Sequence, residues 1–255
     1  MRAWTERVPL RHASAQPQLA RLREPHGHDE LALAGVETRS AVRLLDRLLD
    51  APPCEAAQLS ASDRDALLAA LHRALWGDRI VSSLECAACG AMYDLSFELS
   101  ALQRQLLQQA EPARVGASRC IEGAGGEHFQ LPGADDEDSA AQLGIDAGCA
   151  QLLASITQAD RADAHAIGTR LDALAPLIDV DLDTACAECG HAALARFDIQ
   201  SFVLQRVLDE RETVLGEVHA LARGYGWSLD DILSLPRSLR RSLVQRLAAA
   251  PAAFG

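Results

Sequence analysis

Hydrophobic positions along the chain change their period several times, and each change predicts an element. The first 25 residues have no clear period and are punctuated by Pro9, Pro17 and Pro25, which predicts a mobile arm or an extended, strand-like segment over 1–25. From Asp29 the spacing turns helical: Leu31 and Leu33 lead into Val42, Leu44, Leu45, Leu48 and Leu49 on one face, and Pro52 with Pro53 supplies a stop. Ser60 with Asp63 three residues later forms a weak capping box. It opens a helix carrying Leu67, Leu68, Leu71, Leu75 and Trp76, ended by Gly77. The period then drops to two. Ile80–Leu84 runs into Cys86-Ala-Ala-Cys89-Gly90, and Tyr93, Leu95, Phe97 and Leu99 alternate with Met92, Asp94, Ser96 and Glu98. A helix is expected over Ala101–Ala110.

A Gly-rich stretch from Pro112 to Gly133 holds one candidate strand, His128–Leu131. The acidic run Asp135, Asp136, Glu137 and Asp138 reads as a solvated helix start, where carboxylates suit the macrodipole, and not as a cation loop. Helices are expected over about 140–155 and 159–175. Alternation returns at Ile178–Leu182, followed by Cys186-Ala-Glu-Cys189-Gly190-His191 and a strand over Leu194–Ile199. A long amphipathic stripe then runs from Phe202 to Ala222 and is broken by Gly224 and Gly226. Ser228 with Asp231 caps a short helix ending at Pro236, and a last helix covers 237 to about 249.

Composition narrows the chemistry. The 255 residues are 49% hydrophobic and only 4% aromatic, enough for a core in one large domain or two modest ones. Acids outnumber bases 36 to 24, for a net charge of -12, which argues against general nucleic-acid binding. All 24 bases are arginine, so Schiff-base and P-loop lysine chemistry is excluded. The N-terminal stretch has no signal-like apolar run and no segment reaches membrane-spanning length; a cytoplasmic protein is expected, with reduced thiols.

Four of the seven cysteines fall in two CxxCG elements, Cys86/Cys89 and Cys186/Cys189, 100 residues apart and each set between strands. Two such knuckles on β-hairpins build a tetrahedral four-thiolate site, so a structural zinc in a split zinc ribbon with an inserted helical segment is the expectation. Such a closed shell has no open position for substrate. Three alternatives stand beside it: a redox CxxC, which would open a helix; four-thiolate iron; and a degenerate site without metal. Cys54, Cys120 and Cys149 read as inert thiols, and His191 as an exposed turn residue. His26–Glu30 reads as a polar loop capping the next helix. No GxSxG, Walker or GxGxxG pattern occurs.

The C-terminal segment from Glu217 to Arg246 has the order of a helix-turn-helix, with Arg237, Arg240, Arg241 and Arg246 on its last helix. In so acidic a chain this is read first as a partner-docking or packing module with its arginines in solvent, and second as a DNA-binding face.

Several stretches together carry a resemblance. They are Gly27-His-Asp-Glu30, Gly77-Asp-Arg-Ile80 leading into Cys86–Gly90, Leu131-Pro-Gly-Ala-Asp135, and Val214-Leu-Gly-Glu-Val-His219 leading to Tyr225-Gly-Trp-Ser-Leu-Asp-Asp-Ile-Leu-Ser-Leu-Pro236. The chain from about residue 26 resembles the baseplate and hub assembly proteins of contractile phage tails and contractile injection systems, a group similar to the T-even phage baseplate hub assembly proteins. That resemblance implies a non-enzymatic assembly factor or minor structural part, in the cytoplasm or within a tail-like particle. It would bind baseplate or tail-hub proteins, and no small molecule, nucleic acid or membrane. Tyr225, Trp227, Arg237, Arg240 and Arg241 are the candidate partner-binding residues. The rivals are a zinc-containing DNA-binding regulator and a CxxC thiol oxidoreductase. The expected fold is a mostly helical α+β protein: an arm (1–25), a helical domain with the split ribbon (26–200) and a C-terminal helical module (201–255).

Overall fold

A computed structural model describes residues 4–13, 19–50, 55–116, 119–156 and 164–249. Pro17, Pro52, Pro53 and Cys54 lie outside the described residues, as does the 159–163 start of an expected helix. The fold is α+β. Strands β1 (Thr5–Pro9) and β2 (Leu19–Arg23) precede helices α1 (Gly27–Ala32), α2 (Thr38–Leu48) and α3 (Ala61–Trp76). The first hairpin, β3 (Arg79–Glu85) and β4 (Met92–Glu98), runs straight into α4 (Leu99–Gln109). An insertion follows, built of β5 (Arg114–Val115), β6 (Cys120–Glu122), β7 (His128–Gln130), α5 (Ala134–Ala141), α6 (Ile145–Ile156) and α7 (Ala164–Leu174). The second hairpin, β8 (Asp179–Ala185) and β9 (Ala192–Asp198), runs into α8 (Ile199–Asp209), and the chain ends with α9 (Arg211–Tyr225), α10 (Leu229–Leu233) and α11 (Arg237–Ala249). Among the described residues no helix is long and apolar enough to cross a membrane.

Where they are described, the first 25 residues take the extended, strand-like alternative rather than a mobile arm. β1 and β2 pair antiparallel from Thr5↔Arg23 to Pro9↔Leu19, and Val8, Leu10, Ala20 and Leu22 are buried in the main core. The segment after β1 is tied to the start of α3, because the Asp63 carboxylate accepts the N–H groups of Arg11 (2.7 Å) and His12 (3.0 Å). At the same helix end Ser60 accepts the Asp63 N–H, as its capping spacing predicts. α3 is buried on several sides: Leu67, Leu68 and Leu71 have no exposed surface. It packs against α8 through Val203 and Leu204, and α2 adds Leu45 and Leu48. Each such leucine contributes about 1.5–3 kcal/mol by leaving water.

The helix expected to begin at Asp29 is two helices, α1 and α2, separated by 33–37. The helix expected over 140–155 is interrupted as well, since Gly144 has φ +80° and separates α5 from α6. The insertion has a small core of its own, in which Ile121 and Phe129 meet Ile156, Ile167 and Leu174. Its acidic start is not solvated as expected. Glu137 holds the buried Arg64 guanidinium at 2.5 Å and Asp138 holds Arg39 at 3.0 Å, so α5 is fastened to α3 and α2.

Candidate metal centre

The two hairpins repeat one another residue for residue at an offset of 100. Strands 79–85 and 92–98 correspond to 179–185 and 192–198, and helix 99–109 to 199–209. Each hairpin pairs seven positions, closing at Glu85↔Met92 and Ala185↔Ala192. The turns are equally matched. The Cys86 N–H donates to the Ala91 carbonyl and the Gly90 N–H to the Cys86 carbonyl; Cys186, His191 and Gly190 repeat both bonds. This turn needs a left-handed residue at its end, and Gly90 (φ +72°) and Gly190 (φ +71°) supply it.

The knuckles face each other. Cys86 Sγ lies 3.6 Å from Cys189 Sγ, and Cys89 Sγ 3.8 Å from Cys186 Sγ. All four sulfurs lie within 4.8 Å of one another. A disulfide would bring two sulfurs to about 2.05 Å, so the cluster is four free thiols. A tetrahedron of sulfurs about 2.3 Å from a central ion has an edge of ~3.8 Å, which matches the two cross-knuckle distances. The four cysteines could therefore bind a metal ion. Cys86 and Cys186 are buried, while Cys89 and Cys189 face outward. Below the sulfurs the hairpins are joined by Tyr93 Oη to Thr184 Oγ1 (3.0 Å), and at their base by the edge-to-face rings of Phe97 and Phe197, 5.0 Å apart.

The thiols of the cluster differ in their electrostatics. Hydrogen bonds from the Cys89 and Ala88 N–H groups pull the Cys86 thiol down to about 6. The Ala91 N–H acts the same way on Cys89, but bonds shared with the Cys189 and Cys86 sulfurs outweigh it and push that thiol up to about 12. Adjacent thiolates repel, so only a cation at the centre lets all four ionise together. His191 is exposed and outside the cluster, as expected. Cys120 and Cys149 are free thiols away from it.

The candidate partner-binding residues divide. Tyr225 and Trp227 stack on each other (centroids 4.9 Å, 23° between planes), and each is 40% exposed. Arg237 and Arg240 are not in solvent: they are 3% and 0% exposed, which removes them from any docking face. Arg237 Nη1 and Arg240 Nη2 each reach Glu30 at 2.5 Å, and Arg240 Nε reaches Glu217 at 2.6 Å. Arg237 also pairs with Glu210, and the half-buried Arg241 joins Glu210 (3.0 Å) and Glu217 (3.2 Å). Glu210 further accepts the Trp76 indole N–H at 2.7 Å, over which Arg206 lies 4.6 Å from the ring centroid. Arg206 donates to His72 Nε2 (3.1 Å), so that ring is neutral; burial and then the Arg206 charge hold it down to about 4. Glu30, Glu210 and Glu217 were not legible as a site, because their spacing fits an ordinary polar helix face. Comparison with family models, curated proteins and solved structures returns no match.

Proposed function

We propose that the chain is a non-enzymatic assembly factor or minor structural component of a contractile-tail baseplate or hub, fixed by a structural zinc in a split zinc ribbon. The metal part rests on the tetrahedral spacing of four sulfurs on two matched knuckles. Zinc, which favours a closed four-thiolate shell and has no redox chemistry, fits that donor set and would hold two hairpins 100 residues apart in sequence. With four protein ligands it leaves no position for a substrate. The assembly part rests on the resemblance of the stretch from Tyr225 to Pro236, with the rings of Tyr225 and Trp227 stacked and open to solvent. Exposed paired aromatics in a chain with so few of them suit a protein partner.

Two observations weigh against the rivals. A DNA-binding face would need Arg237 and Arg240, and both are spent on buried carboxylates. A thioredoxin-type CxxC would open a helix, whereas each CxxC here sits in a hairpin turn and opens a strand. The test is complementation. In a cell producing a contractile tail-like particle, deletion of the gene should abolish sheathed particles in electron micrographs. The wild-type chain should restore them and Tyr225→Ala/Trp227→Ala should not. Normal particles in the deletion strain would overturn the assembly role.

A further inference from the structure

A cleft of about 560 Å³ opens where four separate parts of the chain meet: the end of β1, the start of α3, α4, and the lead into β8. Its floor is apolar, formed by Val8, Ala66 and Ile178, and Leu107 stands on its rim 49% exposed. Around this floor are three guanidinium groups from three different segments, Arg11, Arg73 and Arg104. Two carboxylates lie beside them, hydrogen-bonded to neutral donors but still charged, and the Arg73 charge acts on Asp78. Asp63 accepts two backbone N–H groups, and Asp78 accepts the Ser100 N–H (2.9 Å) and hydroxyl (2.6 Å). Arg73 is steadied by the Gln103 carbonyl oxygen, a neutral partner. Arg11 and Arg104 are exposed, with no ion pair to their side chains among the described residues. Three cations against two carboxylates leave an excess of one positive charge over an apolar floor, out of keeping with a chain of net charge -12.

We propose that this cleft is a docking site for an acidic, amphipathic peptide segment of a protein partner, whose aliphatic side chains fill the floor while its carboxylates meet Arg11, Arg73 and Arg104. Three cations on separate elements match several carboxylates spread along a peptide; a small amphiphile such as a fatty acid brings only one. Apolar anchoring ringed by opposite charge is the usual division of labour in recognition, the floor giving affinity and the charges orientation. The inference does not depend on the tail-assembly reading, and its failure would leave that reading where it stands.

The test uses the full chain, purified with its metal, and a fluorescein-labelled 12-residue peptide of interleaved leucines and glutamates followed by anisotropy. Saturable binding is expected, weakened at least tenfold by Arg11→Glu/Arg104→Glu and at least tenfold when glutamines replace the peptide glutamates. Arg43→Glu/Arg47→Glu, an equal charge change on the exposed face of α2, should leave binding unchanged, and circular dichroism should show all variants folded. Absence of saturable binding would overturn the proposal, as would equal loss in Arg43→Glu/Arg47→Glu or equal affinity for the glutamine peptide. Binding of dodecanoate without binding of the peptide would overturn it too.

Discussion

Two centres hold distant parts of this chain together, and they do so in opposite ways. The cysteine centre lies at the tips of two hairpins and joins residues 97 and 103 apart. The arginine–glutamate centre lies under the C-terminal helices and joins α1 to α11, with Glu30 and Arg240 210 residues apart. The second is complete as it stands. Three arginines face three glutamates, so charge balances without any outside ligand, although Arg240 Nη1 is buried with no partner. The first brings together four thiols, whose sulfurs all lie within 4.8 Å of one another and could bind a metal ion. A metal in the first would make that fastening open to chelation, whereas the second yields only to mutation.

Breaking the cysteine centre should have the largest effect. Structural zinc contributes on the order of 10 kcal/mol to small metal-dependent folds. Cys186→Ser should remove the bound metal and lower the thermal midpoint steeply, as read by metal analysis and calorimetry on one sample. Breaking the arginine centre should come next. Glu30→Gln leaves Arg237 and Arg240 buried beside a neutral group and should cost about 3–5 kcal/mol in denaturant unfolding, with metal content unchanged. Retained metal in that variant is what separates the two centres; joint loss would merge them.

A third change acts at the joint between hairpin and core. Asp65 on α3 accepts the Ile178 N–H at 2.8 Å just before β8, and burial pushes its carboxyl up from 3.8 to about 7. The folded state therefore holds this proton more tightly than the unfolded state. Its contribution is fully present below pH 4 and is lost as the pH rises to about 7, by up to about 4 kcal/mol. Asp65→Asn, which keeps an acceptor for Ile178, should flatten that part of the pH–stability profile. An unchanged slope would show that another group sets it. The smallest effect on stability is expected from Tyr225→Ala/Trp227→Ala. Losing these half-exposed rings should change unfolding by no more than about 1 kcal/mol while abolishing the partner contact proposed for them.

The cysteine centre was legible because its signal is local and doubled: CxxCG between alternating strands, repeated at one interval. The caps at Ser60 and Ser228 were legible for the same reason, since each needs only three residues. The arginine centre was not. Arg237 and Arg240 lie among polar residues on a short helix, and their carboxylates come from elements early and late in the chain, so periodicity alone placed them in solvent. Likewise, the burial of Val8 and Leu22 depends on β1 pairing with β2 across ten residues, a contact that short alternation between prolines does not announce. Glu137 inside a run of acids had the look of a solvated surface until Arg64 met it from 73 residues away.

The central claim is that four thiolates close around one zinc ion and fix the two hairpins. Metal analysis of the purified chain under reducing conditions, paired with its melting curve before and after a strong chelator, tests it most directly. One zinc per chain is predicted, lost on chelation together with a large fall in the midpoint. A stoichiometry near zero, with a melting curve indifferent to the chelator, would contradict the account.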